Sequence, residues 1–127
     1  MKDRQRRALK AYERIVKALE REPDLAVCGQ AEDAQAALAA IESLQPDIVL
    51  TDLQLKSSSG LDLIKALRER APALPVIATT IFNVRQNERL ALAAGASGFV
   101  SKQDGPEKLV AAVREVLKAG KKPNEIH

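Results

Sequence analysis

Apolar residues in this chain alternate between two patterns: short unbroken runs, and longer stretches in which they recur every three or four positions. The runs are Leu25-Ala26-Val27-Cys28, Pro46-Asp47-Ile48-Val49-Leu50-Thr51-Asp52, Pro75-Val76-Ile77-Ala78-Thr79-Thr80 and Gly98-Phe99-Val100-Ser101-Lys102. Runs this short, bounded by proline or glycine, predict strands buried on both faces of a parallel sheet. They place strands at about 25–29, 47–52, 75–80 and 98–101. The periodic stretches predict helices between them. One spans about 33–44, with Asp33 as N-cap and Leu38 and Ile41 on its buried stripe. A second spans about 60–70 over Leu61, Ile64 and Leu67. A third, at about 84–94, buries Leu90 and Ala91 and stops at Gly95. In the last, Asp104 and Glu107 have capping-box spacing, Pro106 suits the first turn, Leu109, Val110, Val113, Val116 and Leu117 face inward, and Gly120 is the stop.

The beginning of the chain breaks the alternation. Leu9, Tyr12, Ile15, Val16 and Leu19 lie at three- and four-residue spacings among Arg, Lys and Glu, which predicts an amphipathic helix over about 4–21, stopped by Pro23. Residues 1–8 are too charged to predict a buried strand. Strict alternation of helix and strand thereafter argues for a doubly wound parallel α/β sheet.

In such sheets ligands bind beyond the carboxyl ends of the strands. Three predicted strands finish on Asp52, Thr80 and Lys102, so a carboxylate, a hydroxyl and an ammonium group converge at one rim and could hold a phosphoryl group on Asp52. The simpler readings are that Asp52 caps the turn after its strand, that Thr80 is a β-branched strand residue like Thr79 beside it, and that Phe99 is plain core.

From about Glu22 to Gly120 the chain resembles the receiver domains of two-component response regulators, closest to receivers of the LuxR/NarL type. The residues that carry the likeness are Glu22-Pro23-Asp24-Leu25, Pro46 to Leu53, Ser59-Gly60-Leu61, Leu74-Pro75-Val76-Ile77 and Ala94 to Lys102. The resemblance implies a CheY-like (flavodoxin-like) fold, with 1–127 as a single receiver-like domain. It makes Asp52 the phosphate acceptor, Lys102 the partner of the phosphoryl oxygens, Thr80 the hydroxyl that closes on them and Phe99 the aromatic that reports the phosphorylated state. It also implies a magnesium ion on Asp52 and a histidine kinase or phosphotransfer protein as partner.

Receivers begin with a hydrophobic strand ending in an acidic pair that holds the magnesium ion. Counted back from Glu22-Pro23-Asp24 at family spacing, that pair falls near Arg6-Arg7. The expectation is therefore a four-stranded sheet without the first strand, and no acidic pair. Magnesium prefers hard oxygen ligands, which arginine cannot replace. Asp3 and Glu32 are the candidates to substitute, and neither is at the expected place. Lys56 stands where receivers usually carry proline. A missing central strand would let the strands at 25–29 and 47–52 pair directly. Alternatively it would invite a homodimer through the altered N-terminus or a sheet edge.

Composition narrows the remaining classes. The chain has 127 residues, 46% hydrophobic, 29% charged and 2% aromatic, with a net charge of +3 and a single cysteine, Cys28. That suits a cytoplasmic α/β domain with an aliphatic core and no internal disulfide. Its basic stretches lack interleaved aromatics and no DNA-binding segment follows residue 120, so direct nucleic-acid binding is not expected, and with no apolar stretch near membrane-spanning length neither is membrane association. No glycine-rich phosphate loop, metal-ligand cluster or nucleophile–histidine pair supports an enzyme. Two readings stand: a phosphorylatable receiver, and a degenerate receiver that keeps the fold without magnesium chemistry and acts as an interaction or dimerisation module.

Overall fold

In a computed structural model of the chain, which describes residues 6–11, 21–54, 59–80 and 84–126, five parallel strands form one sheet. In chain order the elements are β1 (Arg6–Ala11), β2 (Leu25–Gln30), α1 (Ala34–Leu44), β3 (Ile48–Asp52), α2 (Gly60–Arg70), β4 (Val76–Thr80), α3 (Val84–Ala94), β5 (Gly98–Ser101), a 3-10 turn (Lys102–Asp104) and α4 (Pro106–Ile126). The strand order is β2-β1-β3-β4-β5. This is the doubly wound parallel sheet expected from the alternation, with the strand order of the CheY-like fold that the resemblance implies.

The four-stranded variant is not what forms. The helix expected over 4–21 gives way to strand β1 at Arg6–Ala11, which lies between β2 and β3. Of the rest of that expectation, residues 4–5 and 12–20 lie outside the described residues, and Arg21 is in a turn. Tertiary placement overrides the helical spacing here: Ala8 and Leu9 are fully buried, and β1 satisfies the facing edges of both neighbours. The central gap that motivated subunit exchange is thus filled by the chain's own strand.

Charge at the start of β1 is accommodated by capping. The Arg7 N–H donates to Asp47 Oδ2 at 2.8 Å, and the Asp47 N–H returns a bond to the Arg7 carbonyl at 2.7 Å. The Arg7 guanidinium donates to the carbonyls of Leu44 and Gln45, at the C-terminus of α1, where Gln45 adopts a left-handed φ of 50°. A cation on the last helical carbonyls satisfies orphan acceptors and complements the helix dipole.

Two apolar layers enclose the sheet. On one face Leu9, Val49, Val76 and Ala78 pack with Ala37 and Ile41 of α1, Leu63, Ile64 and Leu67 of α2, and Ala91 of α3. On the other, Ala8, Leu25, Ile48, Leu50, Ile77 and Val100 meet Leu109, Val113 and Leu117 of α4. Arg114 of α4 ties that layer to the turn before edge strand β2. Its guanidinium reaches Asp24 at 2.7 and 2.8 Å and Glu22 at 2.6 Å.

Three helix details differ from expectation. Leu90 is 45% exposed, because Ala91 is the α3 residue turned to the sheet and its neighbours lie about 100° to either side. Helix α4 continues past Gly120 to Ile126, since an interior glycine costs only about 1 kcal/mol relative to alanine. Gly105, rather than Asp104, immediately precedes α4, and Asp104 closes the 3-10 turn. The Asp33 cap is as expected, its carboxylate accepting the Ala36 N–H at 2.8 Å.

Candidate functional site at the carboxyl rim of the sheet

Parallel pairing sets the site. Asp52, the last residue of β3, is registered with Thr79, and Thr80, the last of β4, with Ser101 of β5. Lys102 begins the turn that follows directly. The three strand ends therefore reach one rim in step. Asp52 is 5% exposed and Thr80 is fully buried. Phe99, half-buried, packs against the α1–α3 layer rather than standing in the solvent.

The loop after β3 is tied back onto the carboxylate. Gln54 donates its backbone N–H to Asp52 Oδ1 at 3.1 Å, and its side-chain Oε1 accepts from Thr80 Oγ1 at 3.0 Å. Gln54 also pairs antiparallel with Ser59, whose hydroxyl caps α2 by accepting the Leu61 N–H at 3.0 Å. Gly60 donates to the Leu53 carbonyl at 2.9 Å. A Cβ on Gly60 would lie 2.2 Å from the Asp52 carbonyl oxygen, so only glycine lets α2 begin this close to the end of β3. Residues 55–58, Lys56 among them, lie outside the described residues.

Beside Asp52 stands a feature the sequence did not single out. The Thr79 hydroxyl is buried, with no hydrogen-bond partner among the described residues. Leaving a buried hydroxyl unpaired costs free energy, and such groups cluster where strain or ligand chemistry is tolerated. Gln54 was also missed. A long polar side chain two positions past a strand end looks like ordinary loop, and only folding carries it across to β4.

The position of the acidic pair needs correction. Arg6 and Arg7 are registered with Leu25 and Ala26 at the opposite end of the sheet, about 16 Å along the strand from the rim. At the rim itself, Ala11 of β1 is level with Thr51, and Tyr12-Glu13, which follow it in sequence, lie outside the described residues. The count failed because it assumed a family-length connection between β1 and β2. Asp3 also lies outside the described residues, and Glu32 is exposed in the bend before α1. No group of three His, Cys, Asp or Glu able to hold a metal ion exists among the described residues. Those residues supply Asp52 but do not by themselves complete a magnesium site.

Comparison with known proteins agrees with this geometry. The family model described as the response regulator receiver domain matches residues 9–114, and the chain belongs to that family. It is 33% identical over 103 residues to the nitrate/nitrite response regulator protein NarP of Escherichia coli, a match covering 81% of this chain and 48% of that protein. Among solved structures it is similar to a LuxR-family two-component response regulator from Aurantimonas sp. SI85-9A1 (TM-score 0.83, 30% identity, covering 91% of this chain and 86% of that one). It is also similar to the signal receiver domain of the putative response regulator NarL from Mycobacterium tuberculosis (TM-score 0.82, 26% identity, covering 91% and 98%). The chain spans about half the length of the curated relatives it matches. No helix among the described residues is long and apolar enough to cross a membrane.

Proposed function

We propose that residues 1–127 act as one receiver unit that accepts a phosphoryl group on Asp52 from a histidine kinase or a phosphotransfer protein. The observation that carries this reading is the registered convergence of Asp52, Thr80 and the Lys102 turn at one rim. An Asp52 carboxylate oxygen attacks phosphorus in line. The bond from phosphorus to the donor histidine nitrogen breaks, and that nitrogen keeps the electron pair and is protonated. Catalysis of such a transfer is mostly positioning and neutralisation of the equatorial oxygens.

In this reading Lys102 supplies one positive charge, Thr80 a hydroxyl donor, and Phe99 passes the change to the surface that partners see. The Gln54 N–H holds one carboxylate oxygen in place. A magnesium ion, when bound, would neutralise the oxygens further. Asp52 is the one described rim residue suited to it, and no step is assigned to it here. Output is read as a changed protein-interaction surface.

The test is intact-protein mass after incubation with acetyl phosphate, with and without magnesium, alongside Asp52→Asn. A phosphoryl-sized gain that needs magnesium and is lost in Asp52→Asn is expected. A folded protein that gains nothing is a receiver in fold alone, acting through its surfaces.

A further inference from the structure

The Thr80 hydroxyl carries a single proton and therefore donates to one acceptor at a time. In this structure that proton is directed to Gln54 Oε1, 3.0 Å away. The same side chain belongs to a residue whose backbone is fixed twice, by its N–H to Asp52 Oδ1 and by its pairing with Ser59. The close approach at Gly60 holds the start of α2 against the end of β3. Gln54 thus links the acceptor carboxylate to the hydroxyl that has to reach a group placed on it.

We propose that Gln54 is a latch on Thr80. Its amide oxygen competes with a phosphoryl oxygen on Asp52 for the Thr80 proton, and so sets how readily the domain passes to its switched state. The inference rests on phosphorylation at Asp52 and deepens it. An anionic phosphoryl oxygen is the stronger acceptor, so phosphorylation opens the latch, while the unmodified protein keeps it closed. Gln54 touches Asp52 and Thr80 rather than the transferred group, which makes it a positioning residue. Its side chain is exposed on the solvent side, so truncation leaves the core untouched.

The experiment uses the full chain and compares wild type with Gln54→Ala, Gln54→Glu, Thr80→Val and the Gln54→Ala/Thr80→Val pair. Amide and methyl NMR shifts of residue 80 and amide shifts of Phe99 are read with and without acetyl phosphate and magnesium, with intact mass on the same samples. Gln54→Ala keeps the backbone bond to Asp52 but removes the amide oxygen that accepts from the Thr80 hydroxyl. Its unphosphorylated shifts are expected to move along the line towards the phosphorylated wild type. The population ratio should change on the order of fivefold, the size of one neutral hydrogen bond. Gln54→Glu offers a charged, stronger acceptor and should hold the resting position at least as firmly as wild type, and in the Thr80→Val background Gln54→Ala should have no further effect. Unchanged residue 80 shifts in Gln54→Ala, in samples that do gain the phosphoryl mass, would overturn the latch while leaving the acceptor intact. Absence of the mass gain in wild type would remove the acceptor reading and the latch with it.

Discussion

Strands β1 and β3 lie side by side at the centre of the sheet and are built in opposite ways. All five residues of β3 are buried, and it is bounded by proline and by the turn after Asp52. In β1 Ala8 and Leu9 are buried and Arg7 before them is half-buried, and the strand's sequence also carries Arg6 and Lys10. Both strands have a parallel partner on each edge, β1 with a register shift against β2 between Ala8 and Leu9. An interior strand therefore does not have to be apolar from end to end. Its ends tolerate charge when a cation such as Arg7 finds helix carbonyls to satisfy.

The largest expected effect tests that equivalence. Leu9→Ala and Leu50→Ala should each lower stability by about 3–5 kcal/mol, because both empty a fully buried leucine site. Urea unfolding of the two variants decides it. A nearly neutral Leu9→Ala would mean that β1 is not the structural equal of β3. Next comes the tight end of β3. Gly60→Ala forces a methyl against the Asp52 carbonyl and should cost about 3 kcal/mol, read as a lower unfolding midpoint. The N-terminal end of β1 offers the contrast. Arg7→Ala strips hydrogen bonds from the α1 terminus and should cost about 2 kcal/mol, with Arg7→Lys recovering only part because an ammonium lacks the fork. The smallest change runs in the opposite direction. Thr79→Val removes the unpaired hydroxyl beside Asp52 and should stabilise the protein by about 1 kcal/mol in thermal unfolding. Unchanged stability in that variant would mean that the hydroxyl is satisfied in solution.

Those comparisons also show why the first strand was misread. The Leu9, Tyr12, Ile15, Val16, Leu19 spacing is helical as a pattern, and nothing local distinguishes Arg6–Ala11 from the first turn of such a helix. Its conformation depends on partners that come later in sequence, Leu25 to Gln30 and Ile48 to Thr51. The acidic-pair position fell with it, since the count inherited the wrong boundary. Leu90 failed for a narrower reason. In a helix that turns a single alanine to the sheet, adjacent leucines sit on the flanks.

The sequence by itself determined β2 to β5 and the four helices that follow them, because unbroken aliphatic runs and 3.6-residue periodicity are local signals that burial reinforces. It likewise determined that Asp52, Thr80 and Lys102 end their segments at one rim, since parallel strands joined by helices bring all their carboxyl ends to the same side. Tertiary structure alone decided that Arg6–Ala11 is the central strand, that Arg7 caps α1, and that Gln54 spans from Asp52 to Thr80 while the Thr79 hydroxyl has no partner among the described residues. Each of these joins residues far apart in the chain or depends on the exclusion of water. Strand pairing and hydrogen-bond satisfaction are properties of what a group meets in space, and no window along the sequence contains that information.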